Sequence, residues 1–260
     1  MPPIAANLGL LFGESGPTAK RMELAAAAGF RGVELSLQEV VDAENLGTVA
    51  RRLAIEIVLI ALPPGDLIGG GYGYMGVPGR WSEVESMIQN GVRIADTLAC
   101  RRLSLPPSRI PQGLDRASCL SALIEHLGRA ADLARPYGVD LVLEPINSIN
   151  WPGFLISSTQ DALEVIGAIR AANVGLQLDL YHAAMQGEVL TQSLQQAAAQ
   201  LRHVQFADVP GRHEPGTGSL PLRKLLLQLD ELNYKGWAGA EYYPTTSGES
   251  SLSWLSDWTV

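Results

Sequence analysis

Four short apolar runs in the second half of the chain end in side chains that a hydrophobic interior would reject. "VDLVL" runs into Glu144, "VGLQL" into Asp179, "LRHV" into Gln205, and "GWAGA" into Glu241. A single carboxylate at such a place is equally well explained as a helix cap or as the partner of a nearby Lys or Arg. Three carboxylates and an amide delivered to one place are different. They would repel, and each would hold its proton more tightly unless a cation neutralised them. No lysine lies close in sequence to any of the four, so a metal ion is the economical counterion. The set Glu144, Asp179, Gln205 and Glu241 offers oxygen only. Hard oxygen donors suit Mg²⁺ or Mn²⁺, with Co²⁺ compatible, whereas zinc sites are usually rich in His or Cys. Four ligands leave about two octahedral positions for water or substrate oxygens.

Two further groups flank this set. "DLYHAAMQGE" places His182 three residues after Asp179, and "VPGRHEPGTG" places Arg212 and His213 beyond the seventh run. The functional reading makes His182 and Arg212 hydrogen-bond donors to an oxygen-rich substrate and to a developing oxyanion. The bland one makes His182 a surface or capping histidine and Arg212 a solvated loop charge. His213 and Glu214 fit either a substrate role or simple ordering of the loop. Glu34, near the end of the run "GVEL", brings another carboxylate to the same end of the fold.

Positioning these side chains together requires a particular architecture. Eight β-like runs start at Ile4, Gly32, Ile55, Arg101, Val139, Val174, Leu201 and Gly236. Between them lie stretches of helical period, among them "TAKRMELAAAAG", "WSEVESMIQNGVRIADTLA", "SCLSALIEHLGRAADLARPYG" and "PLRKLLLQLDELNY", two of them closed by a glycine at Gly29 and Gly138. Eight alternating pairs in 260 residues predict a closed (β/α)8 TIM barrel, a single domain over residues 1–260. No glycine-rich phosphate fingerprint follows the first run, which argues against a dinucleotide-binding sheet. In a parallel barrel the active site lies at the C-terminal ends of the strands, where these polar residues fall. The segment from Gly69 to Arg80, "GGGYGYMGVPGR", reads as a functional lid rather than a domain boundary.

Composition narrows the classes. Lys and Arg total 19 against 27 Asp and Glu, a formal charge of −8, and no basic stripe is present of the kind that nucleic-acid binders use against phosphates. Mean hydropathy is +0.10, no apolar run reaches the roughly 18 residues of a membrane span, and the first residues lack a basic leader. The expected setting is cytoplasmic, without membrane or nucleic-acid partners. Cys100 and Cys119 have neither metal-like spacing nor a disulfide framework around them.

The motifs together resemble a known family. "LEPIN", "LQLDLYHAAMQGE", "HVQFADVPGRHEPGTGSL" and "GWAGAEYYP", preceded in order by "AANLGLLFGE", "AGFRGVEL", "PPGD" and "GVPGR", are similar to the hydroxypyruvate isomerases among the xylose-isomerase-like TIM barrels. The resemblance implies a divalent metal on Glu144, Asp179, Gln205 and Glu241. It also implies a proton-transfer pair matching Glu144 and Glu241, substrate contacts at His182 and Arg212, and no organic cofactor. The reaction it implies is isomerisation of a small hydroxy-carbonyl acid or sugar through an enediolate, with hydroxypyruvate to tartronate semialdehyde first, and 2-oxo-tetronate or another aldose–ketose isomerisation as relatives. Ketose 3-epimerases share Glu144, Asp179 and Glu241 but usually carry His where Gln205 stands. Endonuclease IV-like repair needs several zinc ions on many His and acidic side chains, and this chain has 4 His. "IALPPGD", "SLPPSRIPQG" and "GTGSLPLRKLL" depart from the family at the substrate rim, which bears on substrate identity rather than on the metal set. By analogy with related barrels a homo-oligomer is expected. The tail "SLSWLSDWTV" is expected either to cover the barrel or to meet a partner subunit.

Overall fold

All eight expected runs form strands in the structure, a computed structural model that describes residues 1–246 and 251–258. They are β1 (Ile4–Asn7), β2 (Gly32–Ser36), β3 (Glu56–Ala61), β4 (Arg102–Ser104), β5 (Asp140–Leu143), β6 (Val174–Asp179), β7 (Leu201–Phe206) and β8 (Ala238–Ala240). Neighbours in sequence are neighbours in space, and β8 returns to β1 to close the barrel. Every ladder is parallel, with Asp179 beside Gln205 and Gln205 beside Gly239. These registers bring the ends of β6, β7 and β8 to one level.

The connecting helices have ordinary local causes. Asp42, Asp115 and Ser158 each accept a backbone N–H from the first turn of the helices Ala43–Leu53, Arg116–Ala134 and Thr159–Ile169, which satisfies one of the donors a helix start leaves open. Gly29 and Gly138 adopt φ of 100° and 63°, the left-handed turn that ends a helix. The helices bury Val84, Ile88, Leu127, Val165, Leu194 and Leu226 against the strands. A separate small cluster joins Ala5, Val58, Leu59 and Val142, with Trp237 packed on it. These residues come from β1, β3 and β5, which are not adjacent, so they meet only inside the barrel, and they plug it.

Three local outcomes differ from or sharpen the sequence reading. The run from Ile4 divides: β1 stops at Asn7, whose side chain caps the short helix Leu8–Leu11 by accepting from Leu10 N–H at 3.2 Å. The Gly69–Arg80 segment is fastened rather than loose. Gly73 N–H donates to Asp66 (2.7 Å), Gly76 N–H to Ser108 (2.9 Å), the His126 ring meets Met75 O (3.0 Å), and Met75 is fully buried. Ser251 to Trp258 of the tail lie over the barrel, with Trp254 against Phe206 (centroids 5.7 Å apart) and its Nε1–H donating to Ser251 O at 3.0 Å. Thr259 and Val260 fall outside the described residues. Among the described residues no helix is long and apolar enough to cross a membrane, and Cys100 and Cys119 are buried free thiols.

Candidate metal centre and active site

The four oxygen donors are held by strand ends. Glu144 is the residue after β5, followed by Pro145, which has no N–H to continue a ladder. Asp179 closes β6 and caps the helix Leu180–Met185 with one oxygen, accepting Tyr181 N–H at 2.7 Å. Its other oxygen accepts from Arg212 Nη2 at 3.1 Å. Gln205 lies one residue from the end of β7. Glu241 follows β8, with its N–H on Phe206 O at 3.0 Å. All but Asp179 line a cavity of about 380 Å³ at this end of the barrel, whose wall also includes Asn7, Ser36, Glu39 and Ser104.

The charges are crowded. Burial pushes the Glu144 carboxyl well above its ordinary range, and the negative charges of Glu241 and Asp179 push it further. Burial likewise pushes Glu241 up to about 8, against the opposing pull of Arg212. Arg212, expected as a donor to the substrate, also serves this cluster as a counterion. Arg212, 8% exposed, ion-pairs with Glu241 at 2.8 Å and Asp179 at 3.1 Å. Burial opposes its charge, but Glu241, Asp179 and Glu144 outweigh that, so its pKa is raised. One guanidinium among three carboxylates leaves a negative excess. The oxygen-rich donor set and this excess fit a divalent cation.

His182 is brought to the same place, 3% exposed, with Nε2 3.6 Å from Asp179 and 3.8 Å from Glu144. Glu144, Asp179 and His182 thus form a group whose ligand atoms lie within 4.8 Å of one another and could hold a metal ion. Burial pushes the imidazole down to about 4, although Asp179 opposes it. The rings of Trp151 and Tyr181 lie 5.3 and 5.6 Å from it. His213 and Glu214 take the ordering role. His213 Nδ1 meets Tyr243 O at 2.7 Å, and Glu214 accepts Thr245 N–H at 3.0 Å, which ties the loop after β7 to the segment after β8.

Glu34, noted from the sequence as a further carboxylate at this end, proves to be a supporting residue, together with Gln177 and His203, which the sequence reading did not single out. Glu34, 2% exposed, accepts from Gln205 Nε2 (2.8 Å), Asn7 Nδ2 (3.2 Å) and the His203 ring (Nε2 at 2.5 Å). Gln177 Nε2 bridges Glu144 Oε2, at 2.9 Å, and Gln205 Oε1. A signal for both existed: Gln177 and His203 stand two residues before Asp179 and Gln205, so strand alternation sends them to the same face. Asp208, fully buried, accepts four backbone N–H groups, from Val209, Gly216, Gly218 and Leu220, all at 2.9–3.0 Å. It fixes the loop in which Arg212 adopts the left-handed φ of 59°. No sequence pattern announced that knot.

Comparison with known proteins agrees with the fold. A family model described as xylose isomerase-like TIM barrel matches residues 22–258. Hydroxypyruvate isomerase of Escherichia coli (strain K12) is 36% identical over 252 residues, covering 96% of this chain and 97% of the relative. A 2-oxo-tetronate isomerase of Pectobacterium atrosepticum is 33% identical over 258 residues, covering 99% and 98%. The crystal structure of a Brucella melitensis protein described as an AP endonuclease of family 2 superposes with TM-score 0.93 at 37% identity, covering 99% of both chains. The chain, similar over nearly its full length to hydroxypyruvate isomerase, belongs to the xylose isomerase-like TIM barrel family.

Proposed function

We propose that this barrel, an isomerase like its curated relatives, shifts a proton between neighbouring carbons of a small hydroxy-carbonyl acid, hydroxypyruvate to tartronate semialdehyde being the leading reaction. The observation that carries the reading is the pair Glu144 and Glu241. Both line the cavity, and burial raises the proton affinity of both. A carboxylate whose pKa is lifted toward neutrality is matched to taking a carbon-bound proton and giving it back. In this reading one of the two removes the proton and the other returns it. Arg212 holds the Glu241 carboxylate in place and supplies N–H groups to the substrate's developing negative oxygen, and His182 donates to a neighbouring oxygen. Glu144, Asp179, Gln205 and Glu241 would hold a divalent ion, Mg²⁺ or Mn²⁺ by the hardness of the donors. When bound, such an ion supplies Lewis acidity that polarises the substrate carbonyl and acidifies the adjacent C–H.

The nearest variant is a 2-oxo-tetronate isomerisation, favoured by the Pectobacterium relative. A second class comes from the name of the Brucella protein. The formal charge of −8 and the single metal-capable group of His, Cys, Asp and Glu among the described residues speak against it. The test is purified protein with Mg²⁺ or Mn²⁺, assayed in both directions on hydroxypyruvate and tartronate semialdehyde, in ²H₂O, with and without EDTA. Metal-dependent turnover with solvent deuterium on the reacting carbon is expected. Activity on 2-oxo-tetronate alone would move the substrate, and cleavage of abasic DNA without isomerase activity would overturn the class.

A further inference from the structure

The three ligand atoms of Glu144, Asp179 and His182 invite the view that His182 binds the metal. The hydrogen bonds behind the ring say otherwise. Asn147, fully buried, places its amide Nδ2 2.7 Å from His182 Nδ1, and its backbone N–H points at the same nitrogen from 3.4 Å. The orientation of that amide is set independently, because its Oδ1 accepts Asn150 N–H at 2.8 Å. Turning the amide over would set its NH₂ against the Asn150 N–H, donor against donor. So Nδ1 receives donors, and the ring proton belongs on Nε2. The loop is held to the helix below it at two further points, Ser148 N–H to Gln186 Oε1 and Tyr181 OH to Asn150 Oδ1, both at 2.9 Å. Trp151 and Tyr181 fix the ring edgewise.

We infer that Asn147 is a positioning residue that fixes His182 with its proton on Nε2, so that beside Glu144 and Asp179 His182 presents a hydrogen-bond donor and no lone pair for a metal. Histidines that bind metals show the opposite polarity behind the ring: their second nitrogen donates to a carboxylate or carbonyl. The 3.6 and 3.8 Å from Nε2 to the carboxylates exceed hydrogen-bond length, so the Nε2–H is uncommitted and free for a substrate oxygen. The catalytic consequence rests on the isomerase reading; the placement of the proton does not.

The test is ¹⁵N NMR of the full chain labelled at histidine, with EDTA and then with Mg²⁺. The His182 signal is identified by its loss in His182→Gln, a simple task with 4 histidines. The expected result is a protonated Nε2 and bare Nδ1 in both states. Asn147→Asp should place a proton on Nδ1. Asn147→Leu, which keeps the branching at Cγ and removes the donor, should give a mixture of tautomers and lower kcat/KM for the isomerised substrate by about 10–100-fold. A protonated Nδ1 in the parent protein, loss of the Nε2 proton on adding Mg²⁺, or an unchanged imidazole spectrum in Asn147→Leu would overturn the inference. Failure of the isomerase reading alone would leave the spectra as expected and abolish only the activity comparison.

Discussion

Replacing Glu34 by Gln tests whether the cavity floor sets the site above it. The Glu34 carboxylate serves His203 and Gln205 with separate oxygens, at 2.5 and 2.8 Å. An amide keeps the shape but has one acceptor oxygen, so one of those two donors must face an NH₂ group. A buried donor left without an acceptor costs about 1–3 kcal/mol. At roughly 2–4 °C per kcal/mol for a chain of this size class, Tm should fall by about 2–12 °C. If the His203 contact is kept, the Gln205 amide is freed, and loss of such support typically weakens a metal site by about 10–100-fold. Differential scanning calorimetry of the EDTA-treated protein reads the first quantity, and Mn²⁺ titration calorimetry the second. Gly239→Ala is the companion variant. A Cβ there would lie 1.8 Å from Glu34 Oε1, which forces the carboxylate off both partners, so the loss should exceed that of Glu34→Gln. Parental Tm and parental Mn²⁺ affinity in Glu34→Gln would refute the reasoning.

Three further outcomes follow from the same geometry. Arg212→Met should lower the Tm of the metal-free protein, since Asp179 and Glu241 lose their shared cation, and added Mn²⁺ should raise Tm more in the variant than in the parent; equal Mn²⁺ gains would count against it. Asp208→Asn halves the acceptor capacity beneath four N–H groups, and is expected to cost about 1–3 kcal/mol with kcat falling through the misplaced Arg212, measured by urea unfolding and steady-state kinetics. In EDTA, Tm should decline as pH rises from 6.5 to 9. Glu241, holding its proton up to about 8 in the folded state, favours folding at low pH and loses that advantage on ionising, whereas the opposing effect of His182 is confined between about 4 and 6.5. Glu241→Gln should flatten the slope, and an equally steep decline in that variant would exclude Glu241 as its source.

The barrel could be read from the sequence because its elements are local. Periods of about 2 and 3.6 and the glycines at helix ends placed all eight strands. The ligand candidates were visible because a polar residue ending an apolar run is conspicuous one strand at a time. What supports them was hidden by distance along the chain. The Glu34–His203 contact spans 169 residues, and the Asn147–His182 contact spans 35. No spacing rule links such pairs until the barrel closes. Arg212 as counterion to Asp179 escaped for the same reason, since a charge 33 residues away is invisible to a search for neighbouring lysines. The division of the first run at Asn7 did carry a mark, since Asn is a preferred helix cap, but the apolar residues on both sides of it masked the boundary.

The knot at Asp208 has a consequence for how this protein can be varied. A single carboxylate grips both ends of an excursion that reaches from Val209 to Leu220, and Gly218 is required there because a Cβ would lie 2.0 Å from Val209 O. The tip is therefore separable from its stem. Exchange of the tip between relatives, by drift or by recombination in the laboratory, leaves the chassis the same provided Asp208, Gly218 and the buried Arg212 are kept.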